Sequence, residues 1–93
     1  MATPYKTTPV FDSDTLPPAL RREHSTKAGV WGLIRVLEGR LRLFYADDGS
    51  ERVLGPNVPG LIRPEQLHFV EPLGPMRMKV EFYDRDPIAP GGR

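Results

Sequence analysis

Eleven prolines and nine glycines are spread through the 93 residues, and they decide what this chain can build. Proline removes a backbone donor and breaks a helix interior, whereas glycine admits the left-handed backbone that tight turns need. The pieces left between them are too short for a substantial amphipathic helix. The texture predicts short strands joined by turns. The single helical candidate is Pro17 to Arg22, with Asp14 or Thr15 as its cap and proline in its first turn.

From Gly29 onward β-branched and aromatic side chains dominate: Val30, Trp31, Leu33, Ile34, Val36 and Leu37 form one run. Glu38-Gly39 reads as a turn. The next run places Leu41, Leu43 and Tyr45 on one face and Arg40, Arg42 and Phe44 on the other, so the two runs read as a β-hairpin. Asp47-Asp48-Gly49-Ser50 is a second turn signal, followed by a strand from Glu51 to Leu54. Pro59 to Arg63 and His68 to Glu71 are further extended pieces. Near the C-terminus Met76, Met78, Val80 and Phe82 face one way, with Arg77, Lys79, Glu81 and Tyr83 opposite. About six short strands with frequent turns predict an all-β fold, a sandwich or small barrel that removes exposed edges.

The length predicts one domain, residues 1–86, with Pro87 to Arg93 trailing as a disordered tail. Thirteen basic and twelve acidic residues are interspersed, and no basic stripe of the kind that neutralises phosphates is present. Nucleic acid is therefore not an expected partner. No segment approaches the roughly 20 apolar residues of a membrane span, and none resembles a signal peptide. The chain has no cysteine, which removes disulfides, thiolate metal sites and a cysteine nucleophile. A soluble, cytoplasmic protein is the expectation.

Two histidines, His24 and His68, flank predicted strand entries, where small barrels present side chains to their mouth. Two imidazoles brought together hold a first-row metal if carboxylates, amides or waters complete the sphere. Gln66, Glu71, Glu81 and Glu23 are the candidate partners. Strand parity sends Glu71 to the face opposite His68, while Gln66 shares the parity of His68. Glu71 and Glu81 also read as a general acid and base pair, or as solvated residues on a wet face. Trp31 and Tyr83 are pocket or rim candidates, and Met76 and Met78 read as core. No serine has the neighbours of a nucleophile elbow, and no glycine-rich phosphate loop occurs.

An ordered set of segments gives these residues a family likeness. They are His24-Ser25-Thr26-Lys27-Ala28-Gly29-Val30-Trp31-Gly32, Leu37-Glu38-Gly39-Arg40-Leu41, Pro64 through His68-Phe69-Val70-Glu71, and Val80-Glu81-Phe82-Tyr83. Over about residues 5 to 84 the chain resembles the small cupin-like domain of YeaR-type proteins and TehB-type tellurite-resistance proteins. The resemblance implies a double-stranded β-helix barrel, a bacterial cytoplasmic setting and an association with tellurite or oxyanion stress. In the wider cupin pattern a second histidine stands where this chain has Thr26, and the Val30-Trp31-Gly32 region replaces a glutamate.

Three functional expectations follow. The first is a stand-alone binding module without a methyltransferase portion. Its barrel mouth near His24, Lys27 and His68 would hold a small molecule, an oxyanion or a divalent metal such as Zn, Fe, Ni or Mn, with Lys27 supplying positive charge. The second is a metal-dependent enzyme acting on a small molecule. The third is a homodimer formed through exposed apolar residues such as Phe44 and Phe69.

Overall fold

The alternating pattern takes shape, in a computed structural model that describes residues 3–88, as two facing antiparallel sheets. In chain order the strands are β1 (Lys6–Thr7), β2 (Phe11–Asp12), β3 (Trp31–Glu38), β4 (Leu41–Tyr45), β5 (Glu51–Leu54), β6 (Gly60–Ile62), β7 (His68–Pro72) and β8 (Arg77–Tyr83). One sheet runs β1-β8-β3-β6, with β2 also on β8, and the other runs β5-β4-β7. The fold is all-β, as expected.

Among the described residues the helical candidate shrinks to one 3-10 turn, Pro18–Arg21, which Pro17 enters without a side-chain cap. Neither Asp14 nor Thr15 caps it. The Asp12 carboxylate organises the preceding turn instead, accepting from the N–H groups of Thr15 and Asp14 at 2.8 Å each. These bonds favour the ionised form and hold Asp12 below the ordinary carboxylate range. Residues 89–93 of the expected tail lie outside the described residues.

The β3–β4 hairpin does not form. β3 pairs with β8 and β6, while β4 pairs with β5 and β7, so the chain changes sheets at Glu38-Gly39. The register on β8 slips between Val36 and Glu38, and the extra residue, Leu37, is left 42% exposed. Gly39 then takes φ +74°, and a Cβ there would strike the Pro75 carbonyl oxygen and lie 3.0 Å from Met76 Cα. Bulge and glycine together turn a corner. The Asp47 to Ser50 hairpin does form, joining β4 to β5 with Phe44 opposite Glu51.

Inward residues of both sheets meet in one core that includes Ile34, Val36, Leu41, Leu43, Leu54 and Met78, with Leu16 among them. Leu41, Leu43, Leu54 and Met78 are fully buried. Gly60 sits at a close approach of the two sheets, since a Cβ there would lie 2.7 Å from Leu54 and 2.8 Å from Leu43. Across the gap Tyr45 Oη donates to the Leu61 carbonyl at 2.8 Å, tying β4 to β6. No helix among the described residues is long and apolar enough to cross a membrane.

Candidate functional site

Packing is not complete between the sheets: a cavity of about 390 Å³ opens beside the core. Its walls are the inward side chains Ile34, Ile62, Val70, Met78 and Val80, carried by four different strands. They line it because strand alternation sends every second residue inward. Its polar end is built by His24, Ser25, Thr26 and His68, and Lys6, Thr8 and Lys27 stand at the rim.

The backbone forces the two histidines together although 44 positions separate them in the sequence. His24 N–H donates to His68 O and His68 N–H to His24 O, each at 2.9 Å, a reciprocal antiparallel bridge. The rings consequently lie 4.1 Å apart between centroids, tilted by 55°. Each Nδ1 is 2.8 Å from a backbone carbonyl oxygen, that of Arg22 for His24 and that of Gln66 for His68. A carbonyl only accepts, so Nδ1 of each ring carries the proton. Both rings line the cavity, and Nε2 of each has no hydrogen-bond partner among the described residues.

His68 is 4% exposed. Burial pushes its imidazole down from 6.5 to about 4, the neighbouring His24 ring adds to the shift, and the Gln66 carbonyl opposes it. At neutral pH His68 is uncharged, with a lone pair at Nε2. Thr26 steadies the loop between β6 and β7: its Oγ1 donates to Arg63 O and accepts from Glu65 N–H, both at 3.3 Å. Glu65 is the one non-glycine residue among those described with a positive φ, +61°. That turn aims the Gln66 carbonyl at His68.

Of the residues singled out from the sequence, His24, His68 and Lys27 meet at this cavity. Gln66 does not line it: its carbonyl holds the His68 ring, and its side chain is engaged with Arg63 N–H at 3.0 Å and Asp47 at 3.2 Å. Glu71 lies on the outer face of β7, 3.4 Å from Arg42, as parity requires. Glu81 lies on the outer face of β8, where Tyr83 donates to it at 2.7 Å and Arg35 at 3.0 Å. Burial alone would raise the Glu81 carboxyl, but Tyr83, Arg35 and Lys79 outweigh it and hold the group below the usual range. Glu23 is exposed. Trp31 and Tyr83 do not line the cavity, and Met76 and Met78 are buried as expected. Phe44 and Phe69 stack on each other, 4.6 Å between centroids, with the Arg42 guanidinium 5.8 Å from the Phe44 ring.

The donor set falls short for a metal. Among the described residues no group of three or more His, Cys, Asp or Glu side chains converges. Two imidazoles alone are fewer than the three or four protein ligands that usually hold a zinc-like ion.

Lys6, Thr8 and Phe82 also line the site and were not foreseen there. A two-residue strand such as β1 is too short to show periodicity, although Tyr5-Lys6-Thr7-Thr8 between Pro4 and Pro9 has strand composition. Phe82 belongs to the inward face that alternation gives β8.

Fold and site define a small two-sheet β domain with a ligand-sized cavity lined in part by a histidine pair. Residues 6–80 match the TehB-like domain, and the chain belongs to that family. It is 33% identical over 75 residues to the "Probable S-adenosyl-L-methionine-dependent methyltransferase TehB" of Haemophilus influenzae strain Rd, covering 74% of this chain and 26% of that protein. The protein of the same name from strain 10810 is 32% identical over the same length. The chain thus spans about a quarter of the length of these curated relatives. The crystal structure of TehB from Haemophilus influenzae superposes with a TM-score of 0.79 at 31% identity, over 87% of this chain and 30% of that one. A crystal structure of an Escherichia coli (strain K12) protein shares the fold at a TM-score of 0.77 and 20% identity, over 88% of this chain and 89% of that one.

Proposed function

We propose that this chain is a cupin-like, YeaR-type small-molecule-binding module of the bacterial cytoplasm, working in the tellurite and oxyanion stress setting that its family likeness implies. The observation that carries the reading is the cavity of about 390 Å³, whose aliphatic walls end at two imidazoles locked by backbone carbonyls. Concave, mostly apolar sites with a few fixed polar groups are where small molecules bind. Lys27 and Lys6 at the rim add positive charge that draws in acidic or electron-rich molecules. We do not extend methyl transfer, the activity in the relatives' name, to this chain.

Titration with toluene, followed by methyl NMR, tests the reading. The expected result is saturable shifts at Ile34, Ile62, Val70 and Met78, lost in a Val80→Trp variant that fills the space. No shift at these methyls, with the fold intact, would overturn it. Elemental analysis of the same sample tests the competing metal-dependent reading: stoichiometric metal, lost in His24→Ala and His68→Ala variants, would replace the small-molecule proposal.

A further inference from the structure

The two free ring nitrogens restrict which molecules suit the cavity. Because Nδ1 of each ring donates to a carbonyl oxygen at 2.8 Å, a neutral ring offers the cavity an acceptor and no donor. A carboxylate or other acceptor-only anion would set its lone pairs against those of Nε2. An ammonium would supply donors but would enter past Lys6 and Lys27, which have no carboxylate within ion-pair distance among the described residues. What remains is an uncharged hydrogen-bond donor, and the lysines favour one with an acidic proton. The walls also include Met78 and Phe82, a thioether and a ring of the kinds that pack favourably against an aromatic molecule.

Resting on the small-molecule reading above, we infer that the cavity selects uncharged aromatic molecules bearing a weakly acidic hydroxyl, the chemistry of a phenol, with the hydroxyl donating to Nε2 of the His24 and His68 pair. The space of about 390 Å³ takes a single substituted ring with its hydroxyl at the imidazoles and its apolar edge among Ile62, Val70 and Met78. Selection arises because a ring of the same shape without the O–H leaves a desolvated acceptor unsatisfied.

Four probes of one shape separate the contributions: p-cresol, 4-methylanisole, p-toluate and 4-methylbenzylamine, each titrated at neutral pH and read by calorimetry and histidine NMR. The expected result is p-cresol binding about ten-fold or more tightly than 4-methylanisole, with the two charged probes weaker still. His68→Phe should bring p-cresol and 4-methylanisole to equal affinity. Should that buried substitution unfold the chain, His24→Leu, at a half-buried ring, gives the same readout. Equal binding of p-cresol and 4-methylanisole to the unmodified protein would overturn the inference and leave the small-molecule reading standing. Tighter binding of p-toluate would overturn it in favour of the lysines as the selective element. Binding of none of the four, with toluene also silent, would remove both.

Discussion

Mild acid should loosen this protein largely through one ring. His68 is held neutral in the fold at a pKa of about 4, whereas the unfolded chain takes up the proton near 6.5. Between those values the unfolded state binds more protons, so stability falls as pH falls. Its contribution is whole above pH 6.5 and is lost progressively toward pH 4. At pH 4.5 the loss comes to about 2.5 kcal/mol. A chain of this length has a total stability of roughly 5–14 kcal/mol, so the effect is readily measured. Urea denaturation at pH 7 and pH 4.5, on the unmodified chain and on His68→Phe, isolates it from the carboxylates that titrate in the same range. The unmodified chain should lose about 2.5 kcal/mol more than the variant. An equal loss in both, or a His68 Cε1–H titration near pH 6.5, would refute the reasoning that burial and the adjacent His24 ring keep the imidazole uncharged.

Other substitutions read the frame around the site. Gly39→Ala should cost at least about 2 kcal/mol, since it adds a left-handed backbone penalty to a collision with the Pro75 carbonyl, and a small shift in urea midpoint would contradict the corner. Tyr45→Phe, which strips the 2.8 Å bond to Leu61, should lower stability by about 1–2 kcal/mol in the same assay. Leu43→Ala, at a fully buried site, should cost about 3–5 kcal/mol. Glu81→Gln should leave toluene binding unchanged in the NMR titration, because that carboxylate lies on the outer face, and a loss of binding would place it in the site.

What was legible in the sequence is what local pattern determines. Alternation along β8 assigned Met76 and Met78 to the dry face, and the Asp47 to Ser50 turn located the β4–β5 hairpin, because period and turn chemistry act over a few residues. The β3–β4 junction is not legible in the sequence, for the complementary reason. Glu38-Gly39 looks locally like a hairpin turn, and only the Leu37 bulge and the approach of Pro75 and Met76 send the chain across to the other sheet. The site divides in the same way. Parity placed Glu71 away from His68, but nothing in the spacing of His24 and His68 foretells that their backbones pair reciprocally. Glu81, which the sequence offers as a metal ligand, an acid–base partner or a solvated residue, lies on the outer face, sheltered at 13% side-chain exposure by Arg35 and Tyr83.

A crystal structure of the protein with p-cresol tests the central claim most directly. The account predicts the ring between Ile62, Val70 and Met78, with its hydroxyl oxygen about 2.8 Å from Nε2 of His24 or His68. A cavity that stays free of p-cresol at saturating concentration, or a ligand bound elsewhere on the surface, would contradict it.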